Sequence, residues 1–178
     1  KRGLGVGAIA PDSLSLDNAG VVESYVATAV PGGTTRPAVE YYHAAFDHYF
    51  VTDIPDEIAK LDNGTFVGWA RTGESINVQT GTPAGSATVC RFFSTAFGLR
   101  SSHFYTPDVP ECALVKTNPK WQFEGDVFAL PVPAGNGACA PGMLPVYRLY
   151  NDGKDGAPNH RYTTSTATRT QMLGLGWI

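Results

Sequence analysis

The chain repeats itself about every 55 residues, and a repeat that short constrains the fold more than any other feature of its 178 residues. Val39-Glu40-Tyr41-Tyr42-His43, followed by Asp47-His48-Tyr49-Phe50-Val51-Thr52, opens the first unit. Cys90-Arg91-Phe92-Phe93-Ser94 with Ser102-His103-Phe104-Tyr105-Thr106 opens the second. Tyr147-Arg148-Leu149-Tyr150-Asn151 with Asn159-His160-Arg161-Tyr162-Thr163-Thr164 opens the third. Downstream, Asp53-Ile54-Pro55-Asp56 parallels Asp108-Val109-Pro110-Glu111 and, more loosely, Ser165-Thr166-Ala167-Thr168, each with a capping residue three before an acid or hydroxyl. A short apolar helix pattern and a tryptophan follow: Trp69, Trp121 and Trp177. Each unit reads strand, turn, strand, one- to two-turn helix, Trp, strand. Such a unit cannot bury both faces alone, so neighbours must pack together.

The expected fold is mainly β with short helices (α+β): three strand-strand-helix-strand repeats packed as one compact pseudo-threefold body. Closure as a trefoil, as propeller-like blades or as a short stack stays open. The units span about 39–80, 87–133 and 144–178, the last truncated after Trp177, and form one repeat domain over 39–178. Residues 1–38 form a leader with one candidate strand at 21–30, expected to pair with the edge of a repeat. Pairing within the chain would close the body; pairing with a neighbour would build a polymer. The leader begins Lys-Arg with no apolar signal core, so the chain reads as processed or excised from something longer.

Composition narrows the function classes. Charged residues are 16% of the chain, against about a quarter in an average soluble domain, and the net charge is −3. With no basic run, a nucleic-acid surface is not expected. No apolar stretch approaches the roughly 20 residues that span a bilayer. Three cysteines lack zinc spacing, so neither metal nor cofactor is expected. Low charge and few methionines favour an exported chain in which Cys90 and Cys112 are bonded and Cys139 is left over. Three buried thiols are the alternative.

Ser102-His103-Phe104-Tyr105-Thr106, Pro145-Val146-Tyr147-Arg148-Leu149-Tyr150-Asn151, Asn159-His160-Arg161-Tyr162-Thr163-Thr164 and Gly176-Trp177 together resemble a bacterial repeat family of unknown function. Its signature is an aromatic "HFYT … GW … EG". The resemblance covers roughly Val39 to Ile178. It implies an extracellular or cell-surface location and an accessory role, and it transfers no catalytic residue.

The chemistry-bearing residues sit at repeated positions. His48, His103 and His160 recur at one place, whereas an enzyme site needs unlike residues converging once. Their first reading is structural, with repeated ligand contact second. Arg91 and Arg148 share a position with Glu40 and read as inter-repeat charges or as donor forks for carboxylates or sugar hydroxyls. Tyr41/Tyr42, Phe92/Phe93 and Leu149/Tyr150 place one side chain on each strand face, leaving Tyr42, Phe93 and Tyr150 as candidate platforms for a sugar ring or apolar polymer. Asn151-Asp152-Gly153-Lys154-Asp155-Gly156 lacks the closing glutamate of a calcium loop and reads as a turn. No hydrolase elbow, metalloprotease helix or phosphate loop appears. The leading expectation is a non-catalytic extracellular module that binds a surface polymer or carbohydrate, or supports a larger secreted protein. A self-associating filament or surface-layer subunit comes second, and a secreted hydrolase third.

Overall fold

The computed structural model describes residues 24–27, 34–133 and 137–178. It is mainly β, with three short helices. Each unit begins with a hairpin: β2 (Thr35–His43) with β3 (His48–Thr52), β5 (Ser86–Phe97) with β6 (Arg100–Thr106), and β8 (Met143–Tyr150) with β9 (His160–Thr163). A helix follows each hairpin: α1 (Pro55–Asp62), α2 (Val109–Val115) and α3 (Thr166–Gly174). In the first two units the chain then returns as β4 (Trp69–Gln79) and β7 (Gln122–Pro131), antiparallel to β2 and β5. The order β3-β2-β4-β7-β5-β6 joins these six strands in one sheet, which meets at a single β4–β7 pair, Gln79 with Ala129.

The third unit is completed differently. β1 (Ser24–Ala27) lies antiparallel to β8, with Ser24 opposite Val146 and Ala27 opposite Met143, giving a three-stranded sheet β1-β8-β9. Val146 corresponds to Ala38 and Val89, whose partners are Ile76 in β4 and Phe128 in β7. The leader strand therefore occupies the place where β4 and β7 run in the other units. The rest of the candidate strand at 21–30 lies outside the described residues. Farther along β8, Ile178 exchanges backbone hydrogen bonds with Tyr150, both 2.8 Å, as a second piece of the same edge.

One threonine ends each hairpin and starts each helix. Thr52, Thr106 and Thr163 accept from the N–H two residues on, at 3.1, 3.1 and 3.0 Å. Counted back from these threonines, unit one carries one extra residue in each hairpin strand, His48–Thr52 against His103–Thr106. That shift corrects the expected caps. Asp108 accepts from Glu111 N–H at 2.7 Å and Ser165 from Thr168 N–H at 3.1 Å. In α1 the capping position is Ile54, with no side-chain cap, and Asp53 lies one residue too early and pairs with Arg36.

Cys90 and Cys112 are bonded, tying β5 to α2, and Cys139 is exposed and free. The disulfide lies in a cluster with Phe92, Phe104, Val115 and Trp121. Trp121 and Trp177 are buried, but Trp69 is only half-buried. It stands edge-on to His43, and Gly68 beside it has φ +90°. A Cβ at Gly68 would lie 2.2 Å from His43 Nε2, so this close approach requires glycine.

The inner strands β3, β6 and β9 touch one another, and tyrosine hydroxyls pin them. Tyr105 O–H donates to the Val51 carbonyl at 2.7 Å, and Tyr162 O–H to the Tyr105 carbonyl at 2.9 Å. Each hydroxyl also accepts from the same residue's N–H. Val51 holds the corresponding place in unit one and has no hydroxyl to give. A cavity of about 30 Å³ lies beside it, lined among others by Val89, Tyr105, Val146, Arg148 and Tyr162.

Candidate functional site

The eight residues singled out by the repeat do not converge on one surface; they fall into two buried groups and three half-buried rings. His48 begins β3 and is wholly buried. Its Nδ1 lies 2.8 Å from Ser101 Oγ and its Nε2 2.9 Å from His103 Nδ1. His103 Nε2 in turn lies 3.3 Å from Glu124 Oε2 in β7. The carboxylate at the end of this row sets its polarity, because Glu124 can only accept. His103 Nε2 then carries a proton, His48 Nε2 donates to His103 Nδ1, and Ser101 O–H donates to His48 Nδ1.

Arg91 continues the network. Its two terminal nitrogens donate to Glu57 of α1 at 2.9 and 2.8 Å, and its Nε lies 2.8 Å from Glu124. Thr52 O–H donates to Glu57 from behind. Unit two thereby grips the helix of unit one. Unit three grips unit two by the equivalent step, Arg148 to Glu111 at 2.9 Å. Between units three and one the charges are exchanged: Glu40, at the arginine position, accepts from Arg161 at 3.0 and 2.8 Å. Burial pushes the Glu40 carboxyl up, with Arg161 opposing.

His160 is buried between Phe104 and Tyr150, each with a ring centroid 5.0 Å away, and its Nδ1 has no hydrogen-bond partner. Tyr42, Phe93 and Tyr150 are half-buried, while Tyr41, Phe92 and Leu149 beside them are fully buried. Tyr42 lies tilted against Tyr49 and donates to Asp47 at 2.9 Å. Phe93 and Tyr150 lean on His103 and His160. Among the described residues no group of three or more His, Cys, Asp or Glu side chains is placed to hold a metal ion.

The row Ser101–His48–His103–Glu124 has the order of a nucleophile, a base and an orienting acid, so its proton affinity decides what it can do. Burial, then His103 and His43, push His48 down to about 2. Burial likewise lowers His103 against the pull of Glu124, and lowers His160 well below its ordinary value, with Arg148 adding to it. A base that takes the serine proton must become an imidazolium. Burial and the neighbouring imidazoles disfavour that form of His48. The same contacts join unit one to unit two.

Ser101, Glu57, Glu111, Glu124 and Arg161 were not among the sequence candidates. Glu124 was visible as the Glu-Gly step after Trp121. Glu111 and Arg161 lay within the repeated motifs, but nothing in the sequence pointed to the partners of these residues, which lie in neighbouring units.

The family comparison spans residues 18–131, well over half of the chain, and matches the Domain of unknown function (DUF5648). The chain belongs to the DUF5648 family. The match covers units one and two of this DUF5648 chain, including the Arg91–Glu57 and His48–His103 contacts. It stops at Pro131, before β8 and unit three. No curated protein and no solved structure matches the chain.

Proposed function

We propose that this DUF5648 chain is a non-catalytic extracellular module, three units packed about a common pseudo-threefold centre, that binds a surface polymer or carbohydrate. The observation that carries the reading is the use of the repeated charges and imidazoles. Arg91 and Arg148 are spent on Glu57 and Glu111 of the preceding unit, and the three histidines are buried. What repeats and still reaches the surface is aromatic: Tyr42, Phe93 and Tyr150. The disulfide supports export, as in the secreted bacterial repeats that the sequence resembles. No helix among the described residues is long and apolar enough to cross a membrane. No nucleic-acid partner belongs to this reading.

Pull-down on insoluble polysaccharides, with size measurement in parallel, tests it. Retention that falls in Tyr42→Ala and Tyr150→Ala, with both variants still folded by circular dichroism, is the expected result. The proposal fails if no polymer retains the protein, or if an ester-hydrolysing activity disappears with Ser101→Ala while the fold survives. A second reading, a structural subunit that self-assembles by strand donation, is supported by the seat of β1 on β8. It calls for oligomers of the isolated chain in the same size measurement.

A further inference from the structure

β1 lies on β8 and also touches β4 and β7. Unit three is joined to the others by Arg148–Glu111, by Tyr162 on Tyr105 and by Arg161–Glu40, and none of these involves the leader strand. β1 contributes four register pairs, against eight between β5 and β7 and eight between β2 and β4. Of β1, β4 and β7, which line the same side of β8, β2 and β5, it has the fewest pairs to lose, and its removal leaves an antiparallel edge open to an identical strand.

We propose that two copies of this chain associate by exchanging β1, the Ser24–Ala27 strand of each lying on β8 of the other in the register seen within one chain. The inference takes its donor strand from the second reading above but not the filament that reading builds. Every bond between β1 and β8 is kept in the exchanged form, so nothing enthalpic separates the two arrangements at that strand. The difference lies in the chain that joins it to the body. Seven residues, 28–34, separate Ala27 from the start of β2 at Thr35. They reach roughly 25 Å at most, so a donated strand draws the two bodies into contact. The occupant is a second copy because the strand that fits this seat is the chain's own.

Single-cysteine chains test the exchange, in a Cys139→Ser background that removes the exposed thiol. Ala27 lies opposite Met143 across β1 and β8. Ala27→Cys and Met143→Cys chains are mixed, denatured without reductant, refolded together at high concentration and oxidised mildly. A disulfide-linked heterodimer, absent when Ala27→Cys is paired with the exposed helix position Ala167→Cys, is the expected result. Equal linkage in both mixtures, or none in either, overturns the exchange. Oligomers in size measurement without the specific link would leave self-association standing and sink this register. The specific link with dimers alone would support the exchange and remove the filament.

Discussion

Arg91 reads in the sequence as one basic residue on an alternating strand, yet it holds two carboxylates from two other elements. Arg91→Ala leaves Glu57 and Glu124 facing each other without the cation. Because both carboxylates keep some exposure, the loss should sit at the lower end for a broken buried pair, about 3 kcal/mol by denaturant unfolding. The histidines give a sharper readout. His48, His103 and His160 all have folded pKa values below the unfolded one near 6.5. Their contribution is fully present above that pH and is lost as pH falls through 6.5, where only the unfolded chain takes up protons. All three act in the same direction, so stability should fall as the pH drops below 6.5. Denaturation midpoints should drop between pH 7 and 5, and His160→Gln should make that drop shallower. Their recurrence was legible in the sequence, but the strand register sets His48 opposite His43, whereas His103 and His160 lie opposite Phe93 and Tyr150. The partners of the histidines and arginines were not legible, because Ser101, Glu57, Glu111 and Glu124 lie far from them in sequence and a one-dimensional pattern carries no register between units.

At the level of elements, the strands and helices follow the sequence reading closely, and the departures come from one inserted residue in each strand of the first hairpin. Aligned by similarity, Asp53 matches Asp108. Aligned by the threonine that ends each hairpin, Ile54 does. Asp108→Ala and Ser165→Ala should each cost about 1 kcal/mol in thermal unfolding, whereas Ile54→Ala removes no capping bond. The tryptophans grade in the same way. Trp121→Ala and Trp177→Ala should cost about 3–5 kcal/mol, and Trp69→Ala less, because its ring is only partly buried. Reducing the disulfide reopens a loop spanning a sequence separation of 22 and should cost around 3 kcal/mol, read as a lower midpoint under reductant.

Over the whole molecule, the structure shows the expected mainly β architecture with short helices. A leader strand at 21–30 was expected on the edge of a repeat, but which edge stayed open, because a four-residue pairing leaves no pattern in composition or periodicity that fixes its partner. Deleting residues 1–33 removes that strand and bares the outer edge of β8. The shortened chain should melt earlier and aggregate sooner than the parent in light scattering on heating. An unchanged melting curve would mean that β8 does not depend on the leader.

Ser24 and Ile178 sit on the same side of β8, opposite Val146 and Tyr150, four residues apart. That is a gap of roughly 13 Å, within reach of a short peptide. The order in which the units are written is thus a matter of where the backbone is cut. A gene that links residue 178 to residue 24 and opens the joint between Gln79 and Ser86 would encode a permuted protein. In that protein the β8 edge is filled by one covalently continuous segment, and the discontinuity has moved to the place where β4 now passes into β5.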